Sequence, residues 1–159
     1  MGMSIDYFLA GSLGALIAFF FAIPAIVLEW KQKGESIDAP LVVDARKIFG
    51  RKLKHQEAFL VGLLIHILFG FLFGFIYILF VRRGWLFVTH APYTFLSLLV
   101  YAILSWMVAG FVIYPLLGMG FFARREGRQV WIETIVSHLI LGSVLWLLVQ
   151  YFQPFFFAT

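Results

Sequence analysis

The sequence contains no cysteine and few charged residues. Without cysteine, the chain has no disulfide, no thiolate ligand for a metal and no cysteine nucleophile. Charged residues make up 13% of the chain and apolar residues 63%, whereas soluble domains carry about 25% charged residues. This composition excludes a water-soluble domain and predicts a protein that crosses a membrane several times.

Four long apolar segments, at residues 8–28, 57–81, 95–122 and 130–152, predict four transmembrane helices. At a helical rise of about 1.5 Å per residue, each is long enough to cross a hydrocarbon core of about 30 Å. The first segment is longer than the apolar part of a signal peptide and follows no basic leader, so we expect it to be retained. We predict an all-α, polytopic membrane protein with a single domain over residues 1–159.

Lysine and arginine are unevenly distributed among the connecting loops. The loops after spans one and three contain seven and three of them, whereas the N-terminus, the middle connector and the tail together contain two. We expect the protein in a cell inner (plasma) membrane. The positive-inside rule then predicts that both termini lie outside the cytoplasm. Because the net charge of +4 is confined to loops, we expect anionic lipid headgroups as partners, and no nucleic acid. The expected lipid contacts are Arg46, Lys47, Arg51, Lys52, Lys54, Arg124, Arg125 and Arg128.

Residues 29–56 form the one long polar segment between apolar spans. Asp38 followed by Pro40 is typical of a helix start. Apolar residues between Leu41 and Leu53 then recur every three or four positions, opposite basic ones. The pattern predicts either a short amphipathic helix in the membrane interface or a solvated basic loop.

Two histidines occur inside apolar spans in the same motif, His66-x3-Gly70 and His138-x3-Gly142. Both lie at about the same depth in spans that enter from the same side, so the repeat predicts two parallel-duplicated helical hairpins. Since an imidazole facing lipid is costly, we expect both rings at a common level in the bundle centre.

Three roles for these histidines remain open. In the first and favoured role, each neutral ring donates to a carbonyl that a proline leaves without its partner, such as that of Phe20. In the second, both rings titrate within a small transporter or proton-responsive channel, although the spans are poor in other polar side chains. In the third, both rings ligate a b-type haem.

Proline and glycine predict where the spans bend and where they approach each other. Pro24 and Pro115 lack an amide and should bend spans one and three. Gly118 and Gly120 should weaken the helix after Pro115. Glycines spaced by four residues let a neighbouring backbone come close. The positions expected to pack in this way are Gly70, Gly74 and Gly142.

The polar residues form no arrangement typical of an enzyme. Glu133 is expected either to pair with the nearby arginines at headgroup level or to act as a charge at a helix N-terminus, and it is angularly misplaced for His138. The two histidines have no evident third ligand for zinc. We therefore predict a non-enzymatic accessory or interaction component without metal or cofactor. Its glycine faces and 20 phenylalanines are compatible with binding other membrane helices or a second copy.

These motifs resemble those of a group of small four-helix bacterial and archaeal membrane proteins of unknown function, related to the YagU-like inner-membrane proteins. The resemblance rests on His66-x3-Gly70-x3-Gly74-x2-Tyr77, on Pro115-x2-Gly118-x-Gly120-Phe121 and on His138-x3-Gly142. The stretch from Asp44 to Gly50 is similar as well. The resemblance implies a four-helix fold and an inner-membrane address, and it implies no activity.

Overall fold

Four long helices account for most of the computed structural model, which describes residues 2–32, 55–85, 93–116, 118–125, 127–153 and 155–157. Helix α1 is Gly2–Gln32, α2 is His55–Arg82, α3 is Phe95–Val108 and α4 is Val130–Phe152. Helix α3 continues through a π-helical turn, Ala109–Ile113, and a last α-helical turn, Tyr114–Leu116. A 3₁₀ turn, Phe121–Ala123, precedes α4.

The prediction of an all-α protein with four membrane spans is confirmed. Segments long and apolar enough to cross a membrane are Ile5–Val27, Phe59–Arg82, Phe95–Leu116 and Val130–Phe152. No strand occurs among the described residues. The third helix ends at Leu116, six residues before the predicted boundary, since Pro115 lies in its last turn and two glycines follow closely. The predicted interface helix with its cap Asp38, and the predicted lipid contacts Arg46, Lys47, Arg51, Lys52 and Lys54, lie outside the described residues.

Helices α1 and α2 form an antiparallel pair whose backbones touch. A Cβ atom added at Gly14 would collide with the carbonyl oxygen of Gly70, and one added at Gly74 would collide with that of Ala10. A Cβ atom at Gly70 would lie 2.5 Å from the Cβ atom of Ala18. Small residues at four-residue spacing on both helices therefore form this interface.

The two prolines in the helices have different consequences. Pro24 lies inside α1, which continues as a helix to Gln32. Before Pro115, the amide of Tyr114 donates to the carbonyl of Ala109, five residues earlier. Because proline has no amide and its ring crowds the preceding turn, the wider π-helical turn accommodates it. Beyond it, Gly118 and Gly120 have φ angles of +78° and +75° and redirect the chain.

The buried apolar core lies toward one end of the bundle. We call the end at which α1 and α3 begin the terminal end, and the end at which α2 and α4 begin the basic end. The core residues fall within 10–17, 73–80, 93–102 and 145–157, all in the terminal half. In the basic half, the buried positions of the described helices are small residues: Ala18, Ala22, Gly62, Ala109 and Gly110.

Candidate functional site

His66 forms a hydrogen bond between the first two helices. Its Nε2–H donates to the carbonyl oxygen of Ala18 on α1 over 3.1 Å. Ala18 also lies against Gly70, one turn further along α2, so the bond adjoins the glycine contact between the two helices. The predicted acceptor, a carbonyl freed by a proline, is wrong, because Pro24 would free Phe20 and not Ala18. Close glycine packing brings Ala18 within reach of the ring instead.

His138 forms its hydrogen bond within its own helix. The Nδ1–H donates to the carbonyl oxygen of Thr134 over 2.8 Å. The hydroxyl of Thr134 accepts from Trp106 Nε1 over 3.2 Å, which connects α4 to α3. The ring of His138 lies edge-on to Phe73 of α2, with 6.2 Å between ring centroids. A polar group inside an apolar span is thus satisfied locally, and the ring contributes apolar contact to the neighbouring helix.

The two imidazoles share no contact. His138 lies against Phe73, which is about 10 Å along the α2 axis from His66 at the helical rise. Each ring has a different carbonyl as its partner. The two rings therefore do not form a facing pair, and their position at a common level stays a prediction.

Gly142 is one of the contacts that position α4. A Cβ atom added there would lie 3.0 Å from the Cβ atom of Ala102 and 3.5 Å from the carbonyl oxygen of Leu98, both on α3. Gly142 thus lets α4 approach α3, as Gly70 and Gly74 let α2 approach α1. The backbones of α1 and α2 are closer to each other than those of α3 and α4 are at Gly142.

A buried ion pair at the terminal end was absent from the sequence-based predictions. Asp6 is only 6% exposed, and its Oδ2 accepts from Arg82 Nη2 over 2.8 Å. Its second oxygen, Oδ1, accepts from the backbone N–H of Phe157 over 3.1 Å. One carboxylate therefore joins the first turns of α1, the last turn of α2 and the C-terminal tail. The Arg82 guanidinium also lies 5.0 Å from the ring centroid of Tyr7.

Tyrosine hydroxyls connect α2 to α3 beside this ion pair. Tyr101 donates to the carbonyl of Phe73 over 2.8 Å. The hydroxyl of Ser97 donates to the carbonyl of Thr94 over 2.8 Å. The hydroxyl oxygen of Ser97 also lies 2.9 Å from that of Tyr77. Because Ser97 already donates its proton to Thr94, Tyr77 is the donor in this second bond. These bonds satisfy hydroxyl groups in a region from which water is excluded.

Tyr93 lies in the connector between α2 and α3, close to the same ion pair. Burial raises the pKa of its hydroxyl, and the negative charge of Asp6 raises that pKa further, against an opposing effect of Arg82. The side-chain amide of Gln150 on α4 donates to the carbonyl of Tyr93 over 2.8 Å. Tyr93 thereby contacts both hairpins, and its phenol is protonated at neutral pH.

Two signals in the sequence point to this terminal cluster. Asp6 is the only acidic residue before Glu29, and it directly precedes an apolar span. An ionisable residue at such a position is expected to have a partner. Tyr77 completes the glycine motif that begins at His66. Neither signal identifies Arg82 as the partner, since the two residues are 76 positions apart.

The arginines predicted to contact lipid lie at the basic end. Arg124, Arg125 and Arg128 are all exposed. Arg125 Nη1 donates to the carbonyl of Gly118 over 3.2 Å. Glu133 lies in the first turn of α4, as expected for a charge at a helix N-terminus. Within the described parts of the chain, Glu133 forms no ion pair with these arginines.

No group of three or more histidine, aspartate and glutamate side chains among the described residues is placed to hold a metal ion. The described helices contain two kinds of polar site. One is the pair of separate histidine contacts, and the other is the ion-pair cluster at the terminal end. Comparisons of the chain with protein-family models, with curated proteins and with solved structures found no match.

Proposed function

We propose that this integral membrane protein is a non-enzymatic accessory or interaction component in which His66 and His138 are structural residues. The observation that carries the proposal is the hydrogen bond from His66 Nε2 to the Ala18 carbonyl. The imidazole holds α1 against α2 next to the contact between Ala18 and Gly70. The bond of His138 to Thr134 supports the same interpretation for the second ring.

The proposed location is a cell inner (plasma) membrane, with both termini outside the cytoplasm. The charge asymmetry that predicts this orientation is sharpened by Asp6, which neutralises Arg82 at the terminal end. Arg124, Arg125 and Arg128 at the basic end have no such carboxylate among the described residues. The resemblance to YagU-like inner-membrane proteins agrees with this location and stays a prediction.

Contacts with anionic lipids and with other membrane helices, or with a second copy, belong to the same proposal. Large apolar side chains are exposed on all four spans, among them Phe20, Leu64, Val108 and Leu147. A hydrocarbon solvent or a neighbouring helix is the environment that such surfaces require.

Two other functions would place different demands on the histidines. A small transporter or proton-responsive channel would need rings that exchange protons along a polar path, whereas each ring here is bonded to a backbone carbonyl at a separate place. A b-type haem would need both rings to reach one iron, whereas the His66 ring is bonded to Ala18 on α1 and the His138 ring to Thr134 on its own helix. The separate hydrogen bonds of the two rings therefore favour the structural role of His66 and His138 over a channel and over a haem site.

Proton flux into liposomes that carry the purified protein tests this proposal. We expect the flux to equal that of empty liposomes, and to be unchanged by His66→Ala and His138→Ala. A flux above the empty control that either substitution abolishes would establish the channel instead. The absorption spectrum of the same preparation should show no Soret band. A Soret band that is lost in His66→Gln would establish a haem protein.

A further inference from the structure

We infer that the loop between α3 and α4 is a binding site for an anionic phospholipid, with Arg125 beside the phosphate and Phe121 and Leu116 beside the acyl chains. This inference rests on the proposed placement in a membrane. It does not depend on the role of the histidines. It goes beyond general charge attraction, because it assigns the described loop residues 118–125 and one guanidinium to the contact.

The backbone of this loop is held by its own hydrogen bonds. The amide of Met119 donates to the carbonyl of Tyr114 over 2.9 Å, and the amide of Arg125 donates to the carbonyl of Met119 over 3.1 Å. The side chains of Met119 and Ala123 are buried. A ligand that binds here therefore does not have to order the loop, which lowers the entropic cost of binding.

An aromatic ring anchors the loop to α3. The ring of Phe122 contacts Gly110, where a Cβ atom would collide with it. Its centroid lies 4.6 Å from that of Trp106 and 4.7 Å from that of Phe111. Phe122 has a φ angle of +53°, a backbone conformation that is unfavourable for a side chain of this kind. The packing of the ring on α3 stabilises this conformation, and Arg124 and Arg125, which follow it, are exposed.

Arg125 is positioned within this loop and remains open to a ligand. Its Nη1 donates to the Gly118 carbonyl, and its Cγ lies 3.3 Å from the position of a Cβ atom at Gly120. The guanidinium has five N–H donors in a planar fork that matches a phosphate group. Within the described part of the chain it forms no ion pair. Arg124 and Arg128 are exposed on the same segment. Glu126, between them in sequence, lies outside the described residues.

Exposed apolar side chains occur in the same part of the chain as these arginines. Leu116 is 81% exposed and Phe121 is 61% exposed, and both lie within nine residues of Arg125 in sequence. A soluble phosphate gains nothing from apolar side chains near its site, whereas a phospholipid has both a phosphate and two acyl chains that can contact them. The lateral surface of α3 next to the loop is also apolar and exposed, at Val108, Phe111 and Val112. This combination of charge and apolar surface favours a lipid over free phosphate.

Native mass spectrometry of the full chain in mild detergent tests the inference. Dioleoylphosphatidylglycerol is the anionic probe, dioleoylphosphatidylcholine the zwitterionic one and glycerol 1-phosphate the soluble one. We expect Arg125→Gln to weaken binding of phosphatidylglycerol about tenfold, as for loss of a hydrogen bond between charged groups. Arg83→Gln is the matched control, since it removes one exposed positive charge at the terminal end. Phe121→Ser should also weaken phosphatidylglycerol binding.

The outcomes separate this inference from its alternatives. Equal weakening by Arg125→Gln and Arg83→Gln would overturn it in favour of diffuse charge attraction. Equal affinity for the two lipids, or glycerol 1-phosphate bound as tightly as phosphatidylglycerol, would overturn it as well. If Arg125→Gln fails to fold, Arg124→Gln, which alters no described side-chain contact, replaces it and should also weaken binding. His66→Gln should leave lipid affinity unchanged, so a failure of the structural histidine role is distinguishable.

Discussion

At the scale of single residues, His66 and His138 have the same sequence context and different contacts. His66 bonds across a helix pair, whereas His138 bonds four residues back in its own helix. A side chain that bonds to its own helix needs no neighbour to be satisfied. The two histidines should therefore differ in what they contribute to the stability of the bundle.

His66→Ala should destabilise the protein more than His138→Ala does. The first substitution removes an interhelical hydrogen bond that contributes about 1 kcal/mol in a membrane protein. The second removes a bond within one helix and a ring edge against Phe73. The free energies of unfolding of both variants in mild detergent, measured by circular dichroism, provide the comparison. A larger loss for His138→Ala would contradict the proposed interhelical role of His66.

Asp6→Asn should destabilise the terminal end. The substitution keeps the size of the side chain and leaves Arg82 without its counter-charge. Breaking a buried pair costs about 3–5 kcal/mol. Because the Arg82 side chain is 25% exposed, we expect the lower part of that range, about 3 kcal/mol. The free energy of unfolding measures the effect, and Glu133→Gln serves as control, since Glu133 is exposed.

A double-mutant cycle identifies the cause of that loss. Arg82→Met removes the partner of Asp6 and preserves an apolar stem. If the ion pair is responsible, the combined Asp6→Asn and Arg82→Met substitutions should cost clearly less than the sum of the two single ones. Additive losses would show that Asp6 acts through Phe157 alone, whose amide donates to its other carboxylate oxygen.

At the scale of elements, the contact between α1 and α2 depends on glycines, whose lack of a side chain lets the two backbones come close. The carbonyl of Ala10 occupies the place of a Cβ atom at Gly74. At Gly142, the corresponding Cβ atom would have 3.0 Å to the nearest atom, the Cβ of Ala102. The four-residue spacing of glycine in α2 was visible in the sequence. The matching residues on α1, namely Ala10, Gly14 and Ala18, were identified only by the structure.

Gly74→Ala should destabilise the protein more than Gly142→Ala. In both variants alanine raises helix propensity by a similar amount, so the difference reports on packing. At Gly74 the backbones must separate, for which overpacking costs about 1–3 kcal/mol. At Gly142 a relative shift of α3 and α4 by a few tenths of an ångström suffices. The difference in the free energy of unfolding checks this, and similar values for the two variants would contradict the backbone contact.

Phe122→Ala should loosen the loop before α4. Without the ring that packs on Trp106 and Phe111, the backbone bonds of this loop lose their support. We expect faster hydrogen exchange at the amides of Met119 and Arg125, which donate within the loop. Phe121→Ala is the neighbouring control, because Phe121 is largely exposed. Unchanged exchange in Phe122→Ala would show that the loop does not depend on the ring.

At the scale of the whole molecule, the terminal half contains the core and the basic half contains the exposed arginines. Asp6, Tyr93 and Phe157 join both hairpins at the terminal end, where the large side chains are buried. Toward the basic end the described helices bury small residues and leave large apolar ones exposed. The two ends should therefore differ in rigidity, with slower hydrogen exchange at the terminal end. The duplication of the hairpins stays a prediction.

Cysteine labelling in intact cells tests the proposed orientation. The natural chain contains no cysteine, so single substitutions need no altered background. A membrane-impermeant maleimide should label Trp85→Cys and leave Gln129→Cys unlabelled, since these exposed residues lie at opposite ends of the bundle. Permeabilised cells provide the control in which both react. The reverse pattern would place the termini in the cytoplasm.

Composition and the spacing of apolar segments alone determined that the chain is helical and has four membrane spans. That information is local, because the ability of a helix to cross a bilayer depends on about 20 consecutive residues. Only the tertiary structure decided which carbonyls accept from His66 and His138, and that Asp6 meets Arg82 and the tail. These partners depend on the axial offset and rotation of whole helices. Close packing between residues far apart in sequence sets both quantities, and no single segment records them.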